Sequence, residues 1–328
     1  MMKDSLSKKQ ACNFTPGQVI TGKWHGNKYR IIRILGEGAI GRVYLAQTGG
    51  RLVAVKVARQ AMSVSSEVNV LRRVSKVQGL SLGPSFLDMD DVVTSHGTTS
   101  FYVMEFIQGE PFMPFVINKG SEWLGLFTAQ LLGDLHKMHA GGWVFGDLKP
   151  ENLLITKQPY QLRWIDPGGI TKAGRSIKEY TEYFDRGYWG EGDRKAEPTY
   201  DLFSVAMLMV NRAYPSRFRK TSQKGTDYIM EKVTGAPLLH PYFTVIRKGI
   251  EQKYEDAGQM KEDVLMVLRN QKRAAVPSRL KRKSVLKKRN APVKKDAGPP
   301  VTRERKGYLE TVFFASFLLT IYILYLVG

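Results

Sequence analysis

An α+β chain long enough for two lobes is what the sequence predicts, and three observations carry that reading. Apolar and polar residues alternate in short runs broken by glycine near the start, as antiparallel strands do: Gln18 to Arg33, with breaks at Gly22 and Gly26, then Leu35 to Ala46, then Leu52 to Val57. Further along, apolar residues recur at helical spacing, with an amphipathic run from Trp123 to His139 and another helix from Gln259 to Leu268. The chain has 328 residues, 43% of them apolar, so each of two lobes can bury a core.

Within the strand-rich part, Gly36-Glu37-Gly38-Ala39-Ile40-Gly41-Arg42-Val43 places three glycines between strand-like flanks. Glycines let backbone N–H groups approach phosphate oxygens closely, and a hairpin of this kind can lie over a nucleotide. A dinucleotide-binding turn would need a helix directly after the third glycine, whereas Arg42 to Leu45 continues as a strand. The next strand carries Lys56 at the end of a buried run, fifteen residues after Gly41. An edge lysine snorkelling to water is the plain alternative; after the glycines, the position suits pairing with α- and β-phosphates. From Ser65 to Val74, the apolar residues Val68, Leu71 and Val74 make one helical stripe, with Glu67 near its start and able to face Lys56.

The stretch from Val144 to Ile155 places a carboxylate at Asp147, an ammonium at Lys149 and an amide at Asn152, in a loop running into an apolar strand. Phosphoryl transfer asks for a base near the attacking hydroxyl, a cation near the migrating group and an oxygen ligand for Mg²⁺. Those three residues fit the three tasks in that order. A polar turn before a buried strand is the alternative. Beyond it, Trp164-Ile165-Asp166-Pro167-Gly168 carries a further carboxylate followed by glycine.

Taken together, Gly36, Gly38, Gly41, Val43, Lys56, Glu67, Asp147, Lys149, Asn152 and Asp166 make residues of roughly 15 to 268 resemble a bacterial Hanks-type protein Ser/Thr kinase. The resemblance implies a bilobal protein-kinase fold: a small lobe at 15–107 with an antiparallel sheet and one helix, a mainly helical large lobe at 108–269, and ATP between them. It implies Asp147 and Lys149 as catalytic residues, with Asn152 and Asp166 holding Mg²⁺ or Mn²⁺. ATP would lie against Gly36, Gly38, Gly41, Val43, Lys56 and Glu67. Phe101 to Ile107 resembles the hinge, with Met104 as gatekeeper, Glu105 and Ile107 at the base, and Glu110 as a ribose contact. Asp201-Leu202-Phe203-Ser204-Val205 resembles the start of the long buried helix whose Asp braces the catalytic loop. A protein Ser or Thr is the implied acceptor, and a dimer would serve autophosphorylation in trans.

The departures matter. Where the family has His-Arg-Asp this chain has Phe145-Gly146-Asp147, so the arginine that receives an activation-loop phosphate is missing, while Phe145 can fill the histidine's apolar slot. The Ala-Pro-Glu brace is not recognisable before Asp201, and its usual arginine partner corresponds to Lys253, so the activation segment must be held some other way. Thr171, Ser176 and Thr181 are the candidate autophosphorylation sites in that segment, with Thr181 also on the substrate surface. A glycine before the catalytic Asp also occurs in small-molecule kinases of the aminoglycoside and choline type, but Lys149 argues for a protein hydroxyl. An inactive kinase-fold scaffold is the third reading, against which stand all the residues that touch ATP, metal or acceptor.

Composition organises the ends. A single cysteine, Cys12, excludes a disulfide framework and a Cys/His metal cluster and suits a reducing compartment. The first residues, 1–14, read as a tail with no apolar run and hence no signal peptide. Net charge is +20, and 270–307 holds fourteen Lys or Arg against two acids, a net of +12, with four prolines and no aromatic residue. Such a segment cannot bury a core and is expected to be a disordered linker. Its densest part, Arg279, Lys281, Arg282, Lys283, Lys287, Lys288 and Arg289, is the candidate polyanion site, for non-specific DNA or anionic lipid. The end, 308–328, includes eighteen uncharged residues from Thr311 to Gly328, about 27 Å as a helix and just enough for a bilayer core of about 30 Å. The expectation is a single-pass anchor in the cell membrane, with Arg303, Arg305 and Lys306 holding the kinase on the cytoplasmic side and no outer domain. Kinase, basic linker and terminal membrane helix together resemble a small sporulation kinase of Bacillus, which implies a role in sporulation.

Overall fold

Alternation along one strand sets up the small lobe. In β4, Arg51–Ala58, the valines 53, 55 and 57 point to one face of the sheet, and Ala54, Lys56 and Ala58 point to the other. The valine face closes over Phe14, Ile20, Tyr29, Ile31, Tyr44 and Phe101. The other face meets Val64, Val68 and Leu71 of helix α1, Ala61–Val74. This computed structural model describes residues 13–38, 41–59, 61–77, 83–95, 97–222 and 224–275. Around β4 the sheet is antiparallel, in the order β1 (Val19–Thr21), β2 (Lys28–Glu37), β3 (Gly41–Thr48), β4, β6 (Gly97–Glu105) and β5 (Phe86–Thr94). Helix α1 begins four residues before the predicted Ser65, because Ala61 and Met62 are good helix formers. Glu67 therefore lies in the second turn, where its role is an ion pair and not an exposed first-turn charge.

Two small sheets then present the loops that matter. Strands β7 (Glu110–Pro111), β9 (Leu153–Thr156) and β10 (Gln161–Trp164) pair in the order β10-β9-β7. Strand β8 (Trp143–Val144) pairs with β11 (Thr171–Lys172), Val144 opposite Thr171. Asp147, Lys149 and Asn152 lie between β8 and β9, and Asp166 lies between β10 and β11, so both loops leave one end of the paired strands.

Helices α2 (Phe112–Lys119), α3 (Ser121–Ala140), α4 (Arg186–Trp189), α5 (Pro198–Ala213), α6 (Gly225–Thr234), α7 (Phe243–Ile250) and α8 (Ala257–Ala275) make the rest of the large lobe. Every side chain from Tyr200 to Asn211 in α5 is buried, as expected of a helix surrounded by others. The expected helix at 123–139 is α3, longer by two residues at its start and one at its end. Helix α8 extends past 269, so residues 270–275, with Lys272 and Arg273, are helical where a disordered linker was expected. The tail before 13, the Arg279–Arg289 cluster and the expected membrane helix at 308–328 lie outside the described residues. Among the described residues no helix is long and apolar enough to cross a membrane.

Candidate active site

Strand register brings the first group together. Lys56 stands opposite Val43 on β3 and opposite Tyr102 on β6. Its Nζ is 2.6 Å from Glu67 Oε2 and 3.2 Å from Asp166 Oδ1, and Tyr102 donates its hydroxyl to the same Glu67 oxygen at 2.7 Å. Burial works against the Lys56 charge, but the Asp166 and Glu67 carboxylates outweigh it and hold its pKa above the ordinary lysine value. Burial, and then the Glu67 charge, push the Tyr102 phenol well above its usual range. Tyr102 did not emerge from the sequence reading, although its place two residues before Met104 puts both on one face of a strand.

Above Lys56, the β2–β3 hairpin is built for close approach. The Gly38 N–H bonds to Gly41 O at 3.0 Å, and a Cβ on Gly41 would come within 2.2 Å of Val57 O. At Gly36 and Gly38 a Cβ would meet nothing within 4 Å, so the hairpin roofs open space of the kind phosphates fill. Ala39 and Ile40 lie outside the described residues.

The hinge residues divide. Met104 and Ile107 are buried, Met104 opposite Ala54 and Phe86 in the ladder. Glu105, however, gives its N–H to Ser85 O, and its carboxylate accepts from Ser85 and from Arg163 at 3.0 Å, so only its main-chain carbonyl is left for a base. Glu110, expected at the ribose, is instead in an exposed ion pair with Lys157 at 2.6 Å across the β7–β9 edge, and is not gathered with the others.

On the large-lobe side, three side chains form a closed hydrogen-bonded set. Lys149 Nζ lies 2.5 Å from Asp147 Oδ2 and 3.2 Å from Thr181 Oγ1, and Thr181 donates to Asp147 Oδ1 at 3.0 Å. Asn152 donates Nδ2 to Asp147 O at 3.0 Å, which leaves its Oδ1 as the atom suited to a cation. Asp166 Oδ1 also accepts from the Gly168 N–H at 3.0 Å. A carboxylate and an amide oxygen are the hard oxygen donors Mg²⁺ takes alongside phosphate and water, so Asp166 and Asn152 fit a nucleotide-bound divalent cation.

Gly146 explains its own presence. Its φ is +83°, a conformation that favours glycine, and a Cβ there would come within 2.6 Å of Gly169 O. An arginine does not fit this backbone as packed. Phe145 is buried against Trp164, ring centroids 5.8 Å apart and edge to face. The loop is pinned by Asp201, which accepts the Phe145 and Gly146 N–H groups at 2.8 and 2.9 Å and lies 2.8 Å from His139 Nε2. Asp201 thus braces the loop as expected. His139, at the end of α3, is a partner the sequence reading passed over.

The activation segment is held by a pair that spacing could not reveal. Arg186 is buried and bonds to Asp193 O and Oδ1, Thr199 Oγ1, Glu197 Oε2 and, at 2.7 Å, Gln252 Oε1, while Gln252 returns its Nε2 to Glu191 O. Lys253, at the position where the family's arginine would stand, pairs with Glu251 at 2.7 Å, and the segment is held some other way, as expected. Here the segment supplies the arginine and the distant loop supplies an amide. Beside it, buried Asp185 accepts from the Gly187 and Tyr188 N–H groups, Arg194 and the Tyr200 hydroxyl. Of the three candidate phosphorylation sites, Ser176 is exposed. Thr171 is buried on β11 with its hydroxyl on Gly169 O, and Thr181 is tied to Asp147. Glu179, also unforeseen, lies in the cleft, where burial and then the nearby Asp166 raise its carboxyl above the ordinary range.

Comparison with known proteins agrees with this geometry. A family model described as "Protein kinase domain" matches residues 29–289. The chain is 43% identical to the serine/threonine-protein kinase YabT of Bacillus subtilis, over 100% of this chain and 99% of that protein. It is 30% identical to a probable serine/threonine-protein kinase of Clostridium perfringens over 42% of this chain and 21% of that protein. A homeodomain-interacting protein kinase of Caenorhabditis elegans is 27% identical over 47% of this chain and 19% of its own length.

Proposed function

The chain belongs to the protein kinase family and is a serine/threonine protein kinase; from that premise we propose a membrane-anchored enzyme in which Asp147 and Lys149 carry out transfer from ATP to a protein Ser or Thr. The family match sets aside the small-molecule kinase and scaffold readings. The observation that carries the catalytic assignment is the Asp147–Lys149–Thr181 set facing the Lys56–Glu67–Asp166 set.

In this reading Lys56, kept protonated and in place by Glu67 and Asp166, holds the α- and β-phosphates under the glycine hairpin. Asp166 and Asn152 would hold Mg²⁺ or Mn²⁺, which supplies charge neutralisation at the phosphates. Asp147 orients the acceptor hydroxyl and takes its hydrogen bond, while Lys149, two residues on, neutralises charge on the transferring group. Thr181 fixes both side chains at the wall where the acceptor lies. The expected readout is label from ATP entering protein with the full chain and losing most of its rate in Asp147→Asn; an unchanged rate in that variant would overturn the assignment.

We further propose that the basic segment from Lys272 to Lys306 takes a polyanion that raises activity, with non-specific DNA favoured over anionic lipid. Fourteen cations exceed what a topology signal beside a membrane helix needs, and the cluster from Arg279 to Arg289 lies about twenty residues before the anchor. Lacking aromatics the segment has no stacking platform, so DNA affinity should fall about 10³- to 10⁵-fold between roughly 50 and 200 mM salt for six to ten phosphate contacts. Neutralising Arg279 to Arg289 should abolish DNA binding and stimulation of autophosphorylation; stimulation that survives neutralisation refutes the segment as the site. The sporulation role implied by the resemblance is likewise a proposal, testable by deleting the gene and scoring spores.

A further inference from the structure

Beside the acceptor site, an arginine of the chain itself engages a carboxylate of the catalytic loop. Glu151, four residues after Asp147 on the same loop, is more than half exposed and is a second carboxylate of the loop that meets the acceptor. It is engaged by Arg217, from the loop that follows α5. The Arg217 guanidinium also lies over the rings of Phe184 and Tyr183, 4.9 and 5.9 Å from their centroids. Those rings follow Thr181, whose hydroxyl touches Asp147, by three and two residues, so Arg217 stands at the floor on which an acceptor segment must lie. Its φ of +59° is disfavoured for a residue with a Cβ, yet it aims the side chain at Glu151.

The loop that carries Arg217 has charge of one sign. From Tyr214 to Lys224 there are four cations, Arg217, Arg219, Lys220 and Lys224, and no acid. Arg219 and Lys224 are exposed and take part in no ion pair among the described residues, and Lys220 is held on Tyr188 O at 2.8 Å. With Glu151 engaged from within and Arg219 and Lys224 unpaired, a basic peptide gains no partner from this loop and an acidic one meets free cations.

We propose that the acceptor groove selects Ser or Thr flanked by Asp or Glu, with Arg217 as the specificity-determining residue. This deepens the protein-kinase reading and rests on it. Three peptides with one Ser acceptor and neutral, acidic or basic flanks test it, using the full chain and Mg·ATP. The neutral peptide reports transfer itself and the ratios report selectivity, so the two readings fail separately. Two or three exposed ion pairs correspond to roughly a five- to tenfold preference for acidic over neutral flanks, expressed in KM. Arg217→Ala should lower that ratio about twofold and raise turnover of the basic peptide several-fold, by freeing Glu151; adding Glu151→Gln should remove the gain. Arg219→Ala with Lys224→Ala should lower the acidic preference alone. A wild-type enzyme that takes the basic peptide as well as the acidic one overturns the proposal, as does Arg217→Ala with unchanged ratios in protein whose melting temperature is that of wild type.

Discussion

On the small-lobe wall of the cleft a single cation, Lys56, ties two carboxylates from different elements, Glu67 on α1 and Asp166 beyond β10. On the large-lobe wall the charged anchors are hubs: Asp201 gathers His139, Phe145 and Gly146, Asp185 gathers four residues, and Arg186 reaches Asp193, Thr199, Glu197 and Gln252. The first arrangement is held at one point and can be remade when a nucleotide enters. The second fixes a loop and a segment together before any ligand arrives. The acceptor side is therefore preorganised by many bonds at several hubs, and the nucleotide side by one cation and its two carboxylates.

That contrast is broken most severely at the chemistry itself. Asp147→Asn keeps the size of the side chain and its bond to Lys149's neighbourhood but loses the acceptor for the substrate proton, so turnover should fall by about 10²- to 10⁴-fold with little change in melting temperature. Lys56→Ala should abolish transfer comparably and also leave Glu67 buried with only the Tyr102 hydroxyl. A steady-state assay beside a melting curve separates the two; wild-type turnover in Asp147→Asn would remove the acceptor-side assignment.

Next in size is a hub. Asp185→Ala orphans two N–H groups and the Tyr200 hydroxyl in a buried place and frees Arg194, which should destabilise by about 3–5 kcal/mol. Melting should drop by roughly 10 °C on the usual scaling for a domain of this size. Gln252→Ala, removing one partner of several around Arg186, should cost about 1 kcal/mol. Equal losses from the two would mean that the segment is not organised around Asp185.

A third test loosens the small lobe by pH. Asp90 is buried and accepts from the Trp24, His25 and Asp91 N–H groups, and Asp88 accepts from Tyr29, Asn27 and His25. Burial alone would raise both carboxyls, but these hydrogen bonds outweigh it and hold them below the ordinary range. With folded values depressed, the stability they contribute is full above the usual carboxylate pKa of about 4 and is lost as pH falls through the folded values. Asp90→Asn should cost about 1–3 kcal/mol at neutral pH and flatten the acid limb. Hydrogen exchange at about pH 3 should then open β1, β2 and β5 before α3 and α5.

Legibility follows the same division. Lys56, Asp147, Lys149, Asn152 and Asp166 could be read from the chain because the chemistry demands given residue types at short, fixed spacings. The sheet could be read because β4 alternates, valine against alanine and lysine. Gly146 was visible as a departure, but its reason, a positive φ against Gly169, is a property of the fold. Arg186 and Gln252 are 66 residues apart and obey no spacing rule, so the loss of the usual brace was legible at Lys253 but its replacement was not. The hydrogen bonds of Glu105 and Glu110 depend on strand edges that a list of motifs does not contain. What was missed shares one character: a polar group whose partner is set by packing.

The smallest effect concerns phosphate on the activation segment. Ser176 is exposed and bridged through its backbone to Lys195, with Arg175 and Lys178 near in sequence, so it is the accessible acceptor of the three. No arginine stands before Asp147 to receive a phosphate, and the wall is already fixed by Asp185, Arg186 and Asp201. Phosphorylation there has little left to order. Mass spectrometry after incubation with ATP should find phosphate on Ser176 and not on buried Thr171, and Ser176→Ala should lower turnover less than about threefold, near the worth of an exposed charge contact. Thr181→Ala should do far more, since it removes the hydroxyl that is bonded to both Lys149 and Asp147. A hundredfold loss from Ser176→Ala would show that the acceptor wall is assembled by phosphate after all, and would put both walls of the cleft in the same class.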